Sequence, residues 1–192
     1  APLSHGDVRE RTARRRYAGA PMGVLKRILA ILLFIIIVAA GALVTWSLLG
    51  PDHGPDAEAA LASDETVTVE VEPFLSFDPG EATTGLIVYP GGRVEPESYA
   101  PVARRIAEAG YLVVIPEMPL DFAIFAPSRA NEVIDSYTGI DTWVIGGHSL
   151  GGAMAATFAE LSIEVDGVVM WAAYPAGSVD LTGRDLETVG LL

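Results

Sequence analysis

Positions 28–49 form an unbroken apolar run, Ile-Leu-Ala-Ile-Leu-Leu-Phe-Ile-Ile-Ile-Val-Ala-Ala-Gly-Ala-Leu-Val-Thr-Trp-Ser-Leu-Leu, with no charge in 22 positions. As a helix it spans roughly 33 Å at 1.5 Å per residue, enough to cross the hydrocarbon of a bilayer. A core helix of this length would show water a polar face, and this one has none. Trp46 lies near its end, where an indole suits the membrane–water interface. The pattern predicts a transmembrane helix. The rival is a cleaved secretory signal, whose apolar region is typically about 7–15 residues with small residues at the cut. Ala40-Gly41-Ala42 would supply such a cut.

Residues 50–65 are rich in proline, glycine and acid and read as a solvated linker, with His53 a linker residue. From Thr66 the pattern changes. Val67, Val69 and Val71 alternate with Thr68, Glu70 and Glu72, the period of a half-exposed edge strand. Leu86-Ile87-Val88-Tyr89 and Leu112-Val113-Val114-Ile115 are continuous apolar runs, as buried parallel strands require. Between them, residues 97–109 place Tyr99, Val102, Ile106 and Ala109 on one helical face, and Gly110 ends that helix. A helix over about 128–137, strands at 142–146 and 168–171, and a helix over 152–161 complete the series. Residues 188–191 look like the opening of another buried strand. The repeated strand–helix order predicts an α/β fold, a mostly parallel sheet with helices on both faces. The domains are then a basic tail 1–27, a membrane helix 28–49, a linker 50–65 and an α/β domain 66–192.

Charge gives the chain a direction. Residues 1–27 carry Arg9, Arg11, Arg14, Arg15, Arg16, Lys26 and Arg27 against Asp7 and Glu10, a net +5. The remainder carries −18 within an overall −13. Basic flanks stay on the cytoplasmic side, so residues 1–27 are expected in the cytoplasm and residues 50–192 outside it, a single-pass arrangement. The acidic body repels phosphate backbones and argues against a nucleic-acid partner. The absence of cysteine excludes thiolate catalysis, disulfides and cysteine–zinc sites. The only histidines are His5, His53 and His148, too few in the α/β domain for a histidine metal site. No glycine pattern suits a dinucleotide, and no cofactor is implied.

Ligands of open parallel sheets bind beyond the carboxyl ends of the strands. That edge gathers Pro90-Gly91-Gly92-Arg93, the loop Pro116–Phe125, Ser149 and Tyr174-Pro175. Gly147-His148-Ser149-Leu150-Gly151 stands between a short apolar strand and a helix. A serine on such a turn is held in strained backbone with its hydroxyl exposed, and the glycines let neighbouring backbones come close.

These residues resemble the α/β-hydrolase superfamily over about residues 66–192. By that resemblance Ser149 is the nucleophile on an acyl carbonyl, and the oxyanion amides are those of Leu150 and of Gly92 or Arg93. Many members begin this loop with His-Gly where this chain has Pro90-Gly91, which leaves the choice of donor open. A simple turn is the alternative for Gly91-Gly92. The apolar loop Met118–Phe125, with Phe122 and Phe125, is a candidate acyl pocket, cover or piece of core. Glu117 and Arg93 are candidate polar contacts to a substrate. His148 adjoins the serine on the same tight turn and is expected to pack or hydrogen-bond elsewhere. No histidine follows Ser149, though the superfamily order is serine, acid, histidine. Asp166, Asp180 and Asp185 do follow, and none is assigned as the acid. Truncation is the expected explanation, with acid and base beyond Leu192; a degenerate relative is the alternative. The resemblance implies a membrane-anchored serine hydrolase acting on carboxylic esters or related small acyl compounds. An acyltransferase and a noncatalytic binding domain are the alternatives.

Overall fold

In the computed structural model, residues 22–48 and 53–191 are described. The expected tail falls largely on residues outside this range. The apolar run forms helix α1, Met22–Leu48, beginning a turn and a half before the charge-free segment and taking in Lys26 and Arg27. Within Gly23–Trp46 the most apolar 18 residues have a mean hydropathy of 3.1 and no buried side chain. By length and composition α1 is a candidate membrane span, and a signal sequence near an N-terminus meets the same description.

Residues 53–191 build one seven-stranded sheet. The strands are β1 (Thr68–Glu70), β2 (Leu75–Asp78), β3 (Thr84–Tyr89), β4 (Leu112–Ile115), β5 (Thr142–His148), β6 (Gly167–Trp171) and β7 (Glu187–Leu191), in the spatial order β1-β2-β4-β3-β5-β6-β7. The run β4-β3-β5-β6-β7 is parallel, while β2 pairs antiparallel with both β1 and β4. The helices are α2 (Pro55–Ala60), α3 (Ala100–Ala107), α4 (Arg129–Ser136) and α5 (Leu150–Leu161).

The pleat distributes the core to both faces. Ile87, Tyr89, Val114, Ile145 and Val168 pack with Ala130 and Val133 of α4 and with Ala155, Ala156 and Ala159 of α5. Leu75, Phe77, Val113 and Ile115 pack on the other side with Ala100, Ala103 and Ala107 of α3 and Ala60 of α2. The sheet is therefore mostly parallel and covered on both faces, as the hydrophobic pattern predicts. On the α3 face an apolar cavity of about 330 Å³ opens among Val102, Ile106, Val169, Trp171 and Leu191.

Four details depart from expectation. Residues 55–60 of the expected linker are helical, with Pro55 in the first turn and Ala57 and Ala60 buried. Small side chains let this turn lie against the body, and Arg104 locks it by donating to the carbonyls of Ala60 and Ala62 and to the Asp64 carboxylate at 2.8 Å. Strand β2 has no counterpart in the expected series; it is four residues long and buried without alternation, so no period marks it. The expected helix 97–109 opens as a 3₁₀ turn, Pro96–Tyr99, before α3. Finally, β7 is exposed along its length rather than buried, and among the described residues it is the outermost strand.

Candidate active site

Ser149 joins β5 to α5 with φ 52° and ψ −119°. Such backbone costs a non-glycine residue about 1–3 kcal/mol and persists only where its surroundings enforce it. Here the Ser149 N–H donates to the Trp171 carbonyl at 3.0 Å, and the Ser149 carbonyl accepts the Ala153 N–H at 3.2 Å. The Ser149 side chain is exposed. The flanking glycines are sterically required. A Cβ on Gly147 would lie 2.5 Å from the Gly151 carbonyl carbon, and one on Gly151 2.1 Å from the Tyr89 carbonyl oxygen. The first turn of α5 is thus pressed onto the end of β3, beside the Gly91-Gly92 loop.

The Leu150 N–H is the first of α5, where no intrahelical acceptor exists. Of the two loop amides, that of Arg93 donates to the Asp121 carbonyl at 2.8 Å, whereas the Gly92 N–H makes no hydrogen bond among the described residues. A Cβ on Gly92 would meet the Phe122 ring at 3.0 Å and Leu150 Cδ2 at 3.5 Å, so loop, aromatic rim and serine turn converge. Phe122 stacks edge-on against Phe125 at 6.1 Å, and Phe125 is 57% exposed. This edge of the sheet offers a hydroxyl, two open amides and an apolar rim.

Glu117 lies on the loop between β4 and Phe122. It lines a cavity of about 380 Å³ with His53, Glu95, Glu97 and Asp121. His53, expected to be a free linker residue, bonds through Nδ1 to Glu95 at 3.0 Å and through Nε2 to Glu58 at 3.2 Å. These bonds, Glu95 first, raise its pKa above the ordinary 6.5. Burial, aided by repulsion from Glu95, raises that of Asp121, with Arg93 opposing. The ligand atoms of His53, Glu95 and Glu97 lie within 4.8 Å of one another. Both ring nitrogens of His53 are taken up by Glu95 and Glu58.

His148 points away from the serine. Its Nδ1 lies 3.1 Å from Tyr99 Oη, which also accepts the Gly91 N–H at 2.8 Å. Trp171 packs edge-on against both rings. Asp166 is committed to structure, its carboxylate accepting the Trp143 N–H and its backbone lacing β5 to β7. Asp180 caps its own turn, accepting from the Thr182 N–H and hydroxyl. Sequence reasoning placed Tyr99 only on a core-facing helix stripe; its partners lie 8 and 49 residues away, beyond any local pattern.

A family model described as Alpha/beta hydrolase family matches residues 85–191, from β3 through β7. No curated protein matches the chain.

Proposed function

The chain belongs to the α/β hydrolase family, and from that premise we propose that it is a membrane-anchored serine hydrolase that cleaves carboxylic esters or related small acyl compounds through Ser149. The observation that carries the proposal is the backbone of Ser149, held at positive φ with its side chain exposed beside two open amides. Oγ attacks the acyl carbonyl and its proton passes to a base. The oxyanion so formed receives the N–H groups of Leu150 and Gly92, each such donor being worth about 2.7–4 kcal/mol. Collapse expels the alcohol, which takes the proton, and leaves an acyl-Ser149 ester. Water then adds to that ester and releases the acid. An acceptor alcohol in place of water gives the acyltransferase variant. Phe122 and Phe125 supply the apolar side of the acyl site.

No base for Oγ is assigned among residues 53–191. Within these residues His53 is engaged with Glu95 and Glu58, and His148 with Tyr99. The same engagement favours a second proposal, a noncatalytic binding domain that keeps the fold. In either case α1 anchors the domain, with the basic flank in the cytoplasm and the sheet outside.

A fluorophosphonate applied to the full-length protein separates the two. Labelling that is lost in Ser149→Ala supports the hydrolase. Folded wild-type protein that takes up no label leaves the binding domain.

A further inference from the structure

Tyr99 Oη stands between two pieces of backbone that must agree in position. It accepts the Gly91 N–H at 2.8 Å and meets His148 Nδ1 at 3.1 Å. Gly91 belongs to the loop after β3, and its carbonyl shares a peptide plane with the Gly92 N–H. His148 is the last residue of β5, next to Ser149. We infer that Tyr99 and His148 are positioning residues, a phenol–imidazole bridge that fixes the Gly92 amide relative to the Leu150 amide. This inference rests on the Ser149 hydrolase proposal above.

The contacts around the bridge leave it little freedom. A Cβ on Gly91 would lie 2.8 Å from His148 Nδ1 and 3.3 Å from Tyr99 Oη, so the loop rests directly on both groups. Tyr99 is 5% exposed. Trp171 closes the far side, its ring centroid 6.0 Å from that of Tyr99 and 5.4 Å from that of His148. Its carbonyl also holds the Ser149 N–H. Three strand ends, those of β3, β5 and β6, are thereby tied through one hydroxyl and three rings.

The hydrogen-bond inventory closes as well. The phenol oxygen is occupied as acceptor by Gly91, and its own proton is available to Nδ1. Burial raises the Tyr99 pKa, the Gly91 bond pulling the other way, so the phenol keeps that proton. The phenol donates to Nδ1 when the imidazole carries its proton on Nε2, and accepts from Nδ1 in the other tautomer.

Removing it acts on the amides, not on the reacting atoms. A displacement of about 1 Å in such a site costs on the order of 100-fold in rate, and loss of one oxyanion donor about 100- to 1,000-fold. In Tyr99→Phe the ring and its packing remain while Oη is lost. The expected result, with the full-length protein and p-nitrophenyl acetate, is a fall in kcat of about 10- to 100-fold with KM changed less than about twofold. Fluorophosphonate labelling slows by the same factor. His148→Leu is expected to give a similar loss, and the double variant no more than the larger single loss, because both break one bridge. His148→Asn, which returns a polar atom near Nδ1, is expected to recover most of the rate. A wild-type kcat in folded Tyr99→Phe overturns the inference, as do multiplying losses in the double variant or equal rates for His148→Leu and His148→Asn. If Tyr99→Phe does not fold, the contrast between the two His148 variants decides. Wild-type protein that neither labels nor turns over overturns the hydrolase proposal itself, and the inference with it; an active wild type with an indifferent bridge overturns the inference alone.

Discussion

Gly151 and Tyr89 are in backbone contact: a Cβ built on Gly151 would stand 2.1 Å from the Tyr89 carbonyl oxygen and 2.4 Å from that of Pro90. Both obstacles are main chain, so neither moves without lifting α5 off β3. Gly151→Ala is therefore expected to destabilise by about 3 kcal/mol or more, or to prevent folding. Gly177→Ala is the control, since an added Cβ there meets nothing within 4 Å. Comparable denaturant midpoints for the two variants would remove the steric account of the turn.

Tyr89 sits beneath this contact and organises the next helix. It is fully buried; its hydroxyl donates to the Pro127 carbonyl at 3.0 Å and accepts the Ala130 N–H at 2.8 Å. Tyr89→Phe keeps the ring and leaves the buried Ala130 N–H unpaired. The expected cost is about 1–3 kcal/mol, read as a shifted midpoint with unchanged slope in urea unfolding. Faster hydrogen exchange should concentrate in α4.

The parallel strands and the serine turn were legible because each is written locally. Buried strands are continuous apolar runs, and the turn declares itself by a serine between glycines at fixed spacing. What the chain does not write locally is pairing over distance. Strand β2 joins antiparallel to β4 through residues 36–40 positions apart, with only Pro73 and Pro79-Gly80 marking its ends. The use of the Arg93 amide by Asp121 spans a loop, a helix and a strand. His53 looks like linker because Glu95 is 42 residues away. The amide left open, that of Gly92 rather than Arg93, was accordingly undecided by sequence.

The orientation proposed for α1 rests on charge, and charge can be moved. Arg14, Arg15 and Arg16 belong to a flank of net +5 ahead of the span. A cytoplasm-active reporter fused at the N-terminus is expected to function, and one that requires export is expected to function after residue 192. Replacing the basic residues of 9–27 by neutral ones should produce a mixed population. An export-dependent reporter active only at the N-terminus would reverse the assignment.

Asp64 organises the entry to the sheet. Its carboxylate accepts from the Thr66 hydroxyl, the Thr66 N–H and the Val67 N–H, and these bonds, the hydroxyl first, bring its pKa from 3.8 to about 2. A pKa depressed on folding gives stability that is present above pH 3.8 and lost as pH falls toward 2. Asp64→Asn should remove that part of the acid sensitivity. The check is the difference between the acid unfolding curves of variant and wild type, and superimposable curves below pH 4 would count against this role.

His53 has the opposite sign. Its bonds to Glu95 and Glu58 favour the imidazolium and raise its pKa above 6.5. A pKa raised on folding gives stability that is complete below 6.5 and lost as pH climbs through the folded value. The groups are solvent-accessible, the His53 side chain 25% and that of Glu58 75% exposed, so salt weakens the effect. The loss should be local: α2, which follows His53, should exchange its amides faster above that pH while the α5 amides do not change. NMR titration of the His53 ring gives the direct test. Glu95→Gln should lower the pKa more than Glu58→Gln, because the Glu95 bond is the larger cause. An imidazole that titrates at or below 6.5 in the folded protein, or that ignores Glu95→Gln, would mean that residues 53–60 are not held by this ion pair.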